Sequence, residues 1–478
     1  MSTPVYTPLA AGPGFDRALA VFQHSARLVP AYADFLAGHG IDPARIRTPE
    51  DFAQVPPTTK ADYLRRYPLD MLMWHGDIAG AGTCSCSSGS TGRPTYWPRD
   101  LVSLDEATEL YSRIFRHGFG SRAHSTLLVV GFAMGNWIGG TYTYAAALAL
   151  RRRGHRVSVI APGIEPDTIV ENIAQLGPYY DQVVLAGYPP FVKDVLDRAP
   201  DNVLHNDLRL LLAGEAITED WRDYVLDRIG KPGRPEETCL IYGTADAGIM
   251  GHETRATIAI RRAARDNPDL GRALFGGGSS QPTFVEYDAG HRFTEIDPDG
   301  YLLFTTDTTI PLVRYRINDQ GSILSPGELD AILREHGSAL TPRTSSEHCG
   351  FLALHRRTDI AASFYGLQIY PENIRAALEH ADISGVVSGK FVLAVRTGER
   401  FAQTLLLRIE LRMRTTPYEG FQRRLRHRII QALDHTNTEF RRLHQTIGSA
   451  AEPVITLHEF GSAGFETDVK HQWTQALS

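Results

Sequence analysis

The chain has 478 residues, 42% of them hydrophobic, and a net charge of -6; that length exceeds one ordinary domain, and that composition fills the cores of two or three. The acidic balance argues against a broad nucleic-acid footprint, no apolar run approaches the ~18 residues of a membrane span, and Met1 to Gly12 lacks the basic-then-apolar pattern of a secretory signal. A cytoplasmic multidomain protein, monomer or homodimer, with neither nucleic-acid nor membrane partners is expected, its Cys84, Cys86, Cys239 and Cys349 reduced because C-S-C is not the CxxC spacing of a zinc or redox pair.

In chain order, Phe15 to Gly40 reads as helices broken at Pro30, and Pro56-Pro57-Thr58-Thr59-Lys60 stops the chain before a further helical stretch. Cys84 and Cys86 alternate as on a strand that leads into Ser87-Ser88-Gly89-Ser90-Thr91-Gly92-Arg93-Pro94. Gly89 and Gly92 can take positive φ and turn backbone N–H groups toward an anion, the hydroxyls add donors, and Arg93 adds charge. That suits a phosphate cradle, although the composition alone also fits a mobile Ser/Gly linker. Short apolar runs then alternate with helical segments at Thr126 to Gly131, Arg156 to Ile160, Gln182 to Ala186, Leu208 to Ala213 and Thr238 to Tyr242. This rhythm predicts βαβ units, whose ligands sit outside the carboxyl ends of the strands, here Gly187-Tyr188 and Gly214-Glu215.

After Arg262 the texture changes, through Gly276-Gly277-Gly278-Ser279-Ser280, to alternating, turn-rich segments that predict a β-rich subdomain. Beyond about His355 a shorter unit follows, with strands near Phe391 to Val395 and Thr404 to Leu411 and an amphipathic helix from Tyr418 to Leu433. The Arg-rich stretch from Arg408 to Arg428 has apolar residues at helical spacing and reads as a solvated helix face. The division expected is a large N-terminal domain over 1–354, in α/β layers plus the β-rich subdomain, and a small mobile α+β C-terminal domain over 355–478.

Five motifs stand in a fixed order. They are Pro57-Thr58-Thr59-Lys60, the Ser87 to Pro94 loop, Tyr242-Gly243-Thr244-Ala245-Asp246, Arg314-Tyr315-Arg316-Ile317-Asn318-Asp319, and Arg357-Thr358-Asp359 followed by Gly366 and Pro371. Together they resemble the adenylate-forming (ANL) enzymes, especially the phenylacetate–coenzyme A ligase-like branch, over nearly the whole chain. The resemblance implies the adenylate-forming enzyme fold and ATP-dependent activation of a carboxylic acid to an acyl-adenylate with release of pyrophosphate. The acyl group then passes to a thiol, coenzyme A first.

It also implies roles, residue by residue. Ser87, Ser88, Gly89, Ser90, Thr91, Gly92 and Arg93 hold the outgoing phosphates; Asp319 accepts both ribose hydroxyls, a diol matched to two carboxylate oxygens. Tyr242 packs against adenine with Gly243 and Thr244 beside it, Gly214, Glu215 and Ala216 line its other side, and Arg357 contacts the nucleotide or a surface carboxylate. Asp246 helps hold Mg²⁺ through hard oxygen ligands, or is simply a turn residue. Asp359 is the hinge of the mobile domain. Lys470, one of only five lysines among 49 basic residues, places its ammonium between the incoming carboxylate and the phosphate, or is a solvated tail residue. Phe132, Trp137, Gly187 and Tyr188 fall on strand ends where an acid pocket belongs and favour an aryl or arylacetic acid, though aromatics also fill cores. His252 reads as a core histidine.

The chain departs from the pattern at Arg93, Ala245, Asp246 and Asn318, where the family carries Lys, Thr or Ser, Glu and Gly. A divergent branch is therefore expected, and its acceptor can be coenzyme A, a carrier protein or an amine. Its acid can even be a small oxyacid such as nitrite, activated for nitrogen–nitrogen bond formation. Outside that class, a nucleotide-binding relative without turnover remains open, while a P-loop kinase lacks its GxxxxGK[ST].

Overall fold

The computed structural model describes residues 13–87, 95–276, 281–357, 362–378, 380, 382–463, 465 and 474–476. Its frame is a 12-stranded mixed sheet. Five strands, Thr126–Gly131, Val157–Ile160, Gln182–Gly187, Leu208–Ala213 and Thr238–Thr244, are parallel. Their near-continuous apolar composition is what strands covered on both faces require: every residue of Thr126–Gly131 and Gln182–Gly187 is buried. In space the first strand lies between the second and third, so the order reverses at the carboxyl ends of Thr126–Gly131 and Gln182–Gly187. Crevices open at such reversals, and Phe132 and Tyr188 are the residues that follow these two strands.

The β-rich part does not form a separate sheet. Gly248–His252, Thr283–Asp288, Cys349–Arg357, Leu312–Leu324, Tyr301–Thr306 and Phe293–Ile296 continue the same sheet antiparallel. The N-terminal helices Pro13–Leu28 and Pro30–Gly38 pack on this half, burying Phe15, Phe22, Tyr32 and Phe35 with Phe293, Phe304 and Tyr315. Proline at Pro30 opens the second helix, where its missing N–H costs nothing. Thr58–Thr59 is a two-residue strand parallel to Tyr315–Arg316, and it delivers Lys60 to the start of a π-helical turn, Lys60–Leu64. The Thr59 and Asp62 side chains cap that turn reciprocally.

The C-terminal part carries a four-stranded sheet ordered Val454–His458, Gln403–Leu411, Val387–Thr397, Thr474–Ala476. Against it packs the helix Phe421–Thr436, which buries Phe421, Leu425, Ile429 and Leu433 at four-residue spacing and leaves Arg423, Arg424 and Arg426 exposed. One apolar cluster is continuous from Val183, Leu185 and Leu210 of the large sheet to Phe364, Leu393 and Phe440 of the C-terminal part. The four cysteines are free thiols, and no described helix is long and apolar enough to cross a membrane.

Candidate functional site

A cavity of about 540 Å³ opens at the carboxyl ends of the parallel strands beneath the C-terminal part. Its apolar wall comes from Tyr111, Phe132, Ile241 and Ile249, which belong to one packed cluster, together with Trp137, Tyr142 and Tyr188. Phe132 and Tyr188 meet edge to face with ring centroids 5.1 Å apart. Polar groups stand on the wall too: Tyr111 and Thr143 hydroxyls bond at 2.6 Å, and the Tyr142 hydroxyl donates to the Ser103 carbonyl at 2.7 Å.

The charged side comes from the longest strand, Leu312–Leu324, and from the turn after Thr238–Thr244. Asp319, 1% exposed, accepts a short hydrogen bond from the Tyr242 hydroxyl. Asp246 accepts one from the Tyr315 hydroxyl at 2.6 Å and faces the Lys60 ammonium at 3.6 Å. Arg65, Arg316 and Asn318 line the same side. Two buried carboxylates, each held by a tyrosine, thus look onto one cavity. Arg357 pairs with Asp319 across the ladder through its backbone; its side chain lies outside the described residues.

The hairpin Thr83–Ser87 and Thr95–Arg99 is in register from Thr83 and Arg99 to Ser87 and Thr95. It brings Cys86 to the cavity, where that residue lines the wall and bridges Trp137. Ser88, Gly89, Ser90, Thr91, Gly92 and Arg93 lie outside the described residues, as do the Ser87 side chain, Asp359 and Lys470. Burial, and then the Glu439 carboxylate, push the Cys86 thiol above its ordinary range.

The C-terminal part roofs the cavity with Gly366, Gln368, Tyr370 and Glu439. Gly366, at φ 79°, turns between the short strands Ala362–Phe364 and Leu367–Ile369, and a Cβ there would stand 2.3 Å from the Tyr188 ring. Only glycine fits that conformation and that gap. Glu215 accepts from the Gly366 N–H at 2.5 Å, from Gln403 at 2.7 Å and from Ser363 at 3.1 Å. Removing a charged acceptor shared by three donors weakens docking by at least ~1.4 kcal/mol, about tenfold in the undocked population. Glu215→Ala is expected to speed tryptic cleavage between the two parts about tenfold, read by timed proteolysis; an unchanged rate would show that this contact does not hold them.

Of the residues singled out from sequence, Phe132, Trp137, Tyr188, Gly214, Gly243, Thr244, Asp246 and Asp319 line one cavity. Glu215 turns to the C-terminal part, Ala216 is exposed, and Gly187 ends its strand behind the wall. Tyr242 packs its ring in the core beside Phe304, at 6.4 Å between centroids, and reaches the site through Asp319. His252 is buried, its Nδ1 3.0 Å from the Glu253 carbonyl. Sequence reasoning assigned no role to Lys60, though it quoted the motif that carries it, nor to Tyr111, Tyr142 and Glu439, which no local pattern marks.

No family model matches the chain, and no curated protein does. Among solved structures, a 2-hydroxyisobutyryl-CoA ligase in complex with 2-HIB-AMP and CoA, in its thioesterification state, superposes with a TM-score of 0.64 at 17% identity, covering 100% of this chain and 95% of that one. The same ligase in the postadenylation state with R3-HIB-AMP gives 0.52 at 17% identity over 100% and 95%. Its open conformation with 2-HIB-AMP and CoA gives 0.52 at 16% identity over 99% and 97%. The chain therefore has the adenylate-forming ligase fold.

Proposed function

We propose that this chain activates a carboxylic acid with ATP and passes the acyl group to a thiol, coenzyme A first, in the manner of the phenylacetate–coenzyme A ligase-like branch. The observation that carries the reading is the meeting of Asp319 and Asp246, each held by a tyrosine hydroxyl, with an aromatic-walled recess in one cavity. A carboxylate suited to a ribose diol, a polar edge for phosphates and an apolar recess for an acid are the three parts that adenylation needs.

In the first step an oxygen of the acid forms a bond to the α-phosphorus as the bond to pyrophosphate breaks. Two anions must approach, so cations and N–H donors have to offset their repulsion. The loop from Ser87 to Arg93 and Lys470 supply these, with Lys60 and Arg65 on the described side of the cavity. In the second step a thiolate attacks the acyl carbon and AMP leaves with its electron pair. One carboxylate, Asp246, suits a Mg²⁺ held mainly by phosphate oxygens and water; such an ion would neutralise phosphate charge. The ribose rests on Asp319, and Tyr242 acts by fixing that carboxylate. Gly214, with Gly243 and Thr244, borders the base. Asp359 is the hinge.

A thiol acceptor is taken first because the ligase structures that superpose over 99–100% of this chain are of a CoA ligase. Phe132, Trp137, Tyr188, Tyr111 and Tyr142 favour a flat aromatic acid.

Incubation with ATP, Mg²⁺ and a panel of aryl, arylacetic and short aliphatic acids, with and without coenzyme A, tests the reading. Pyrophosphate and AMP are expected with an aromatic acid, and thioester when coenzyme A is added. ADP, or no nucleotide turnover with any acid, would sink the activity; adenylate without thioester would shift the acceptor to an amine or a carrier protein.

A further inference from the structure

We infer that the buried Arg99 guanidinium sets a positive potential inside the cavity that selects an acid as its anion over a neutral isostere, making Arg99 a specificity-determining residue. The inference rests on the acid-activating reading above. Arg99 ends the strand Thr95–Arg99, just before Asp100 caps the helix Leu101–Arg113. Its side chain runs behind the cavity wall. Nη2 donates to the Ala245 carbonyl at 2.6 Å, and the guanidinium lies 5.2 Å from the centre of the Tyr142 ring; Ala245 and Tyr142 both line the cavity.

Gly248, a third wall residue, has φ 77°, and a Cβ placed on it would stand 3.6 Å from Arg292 Nη2 and 3.9 Å from Arg99 Nη1. Gly248 itself places no side chain over the two guanidinium groups. Arg99 is 4% exposed, has no carboxylate within ion-pair distance among the described residues, and its Nε lacks an acceptor. Burial lowers its pKa, yet a guanidinium remains charged at neutral pH. The charged groups that act on it are Arg292, Asp246 and Glu106. Asp246 is already engaged by Lys60 and Tyr315. Glu106 is engaged by Arg292 at 2.9 Å and His291 at 2.7 Å, which hold its carboxyl at about 2 against the upward push of burial.

Lys60 is thus paired with Asp246 and Arg292 with Glu106, while Arg99 has no carboxylate within ion-pair distance among the described residues. A buried cation without a counter-charge costs stability, and an apolar side chain of like volume fills such space at less cost. That charge is compensated when an anion enters the cavity. This separates Arg99 from the buried Arg222, which the Glu219 and Glu253 carboxylates neutralise at 3.0 and 2.6 Å.

Cys86 on the cavity wall reports that potential without ATP or turnover, so failure here is distinct from failure of the acid-activating reading. Iodoacetate and iodoacetamide both transfer a carbon to a thiolate with loss of iodide, but only the first is an anion. In the unaltered protein the iodoacetate-to-iodoacetamide rate ratio at Cys86, read by peptide mass spectrometry with the exposed Cys84 as internal reference, also carries the opposing Glu439 carboxylate. The readout is therefore its change between variants: Arg99→Met should lower it about tenfold, and Arg99→Lys should retain most of it. With whichever panel acid is turned over, Arg99→Met should raise the acid KM about tenfold and leave the unfolding midpoint unlowered. The inference is overturned by an unchanged ratio in Arg99→Met, by an equal fall in both rates, by a lowered unfolding midpoint, or by failure of either reagent to reach Cys86.

Discussion

Asp319→Ala is expected to lower kcat/KM for ATP by about 100-fold or more, chiefly through KM. The carboxylate is 1% exposed and fixed by the Tyr242 hydroxyl, so its oxygens are aimed before nucleotide arrives. Hydrogen bonds from neutral donors to a charged acceptor contribute about 1.5–3 kcal/mol each, and two ribose hydroxyls supply two of them; at about 1.4 kcal/mol per tenfold, that reaches a factor of 100. The same substitution strands the Tyr242 hydroxyl in the core, a further cost of about 1–3 kcal/mol that falls on folding. The two effects separate with 2′-deoxy- and 3′-deoxy-ATP, which should each cost the unaltered enzyme about tenfold and the variant almost nothing. An Asp319→Ala enzyme with an unchanged ATP KM at full secondary structure would remove the ribose from this carboxylate.

The parallel strands were legible because a buried strand is written in its own residues. Thr126 to Gly131 and Leu208 to Ala213 are apolar runs, interrupted only at Thr126 and Arg209, stopped by a turn, and the strands end where the runs do. Which strand pairs with which is not written locally, and that is why the strands from Thr283 to Arg357 read as a subdomain of their own although they extend the same sheet. The face that an aromatic presents is equally hidden. On a strand, successive side chains alternate between two faces, and Tyr242 turns its ring to the core while its neighbour Ile241 lines the cavity. Motifs with fixed spacing singled out Asp246 and Asp319, and both line the cavity. Tyr111, Tyr142 and Glu439 reach the cavity, and Arg99 the back of its wall, from helices and a hairpin distant in sequence, and only the packing of those elements brings them there.

Lys470→Ala is expected to slow adenylation by roughly 10²- to 10³-fold, the size of a lost contact to charge developing in the transition state, while ATP still binds. A lysine ammonium is a compact charge on a flexible stem, suited to sit between an incoming carboxylate and phosphate oxygens. Lys470 lies outside the described residues, but the chain is anchored on both sides of it to one strand, Val387–Thr397. The Lys390 ammonium donates to the Phe465 carbonyl at 3.0 Å, and Thr474–Ala476 pairs in parallel with Leu393–Val395. Those two contacts fix the described residues on either side of the segment to one strand. The two half-reactions should therefore respond differently. Acid-dependent pyrophosphate exchange should collapse in Lys470→Ala, whereas thioester formation from a chemically prepared acyl-adenylate, which needs no bond to the α-phosphorus, should stay within about threefold. Equal loss in both assays would make Lys470 a structural residue of the C-terminal sheet, and intact exchange would leave the adenylation step without this ammonium.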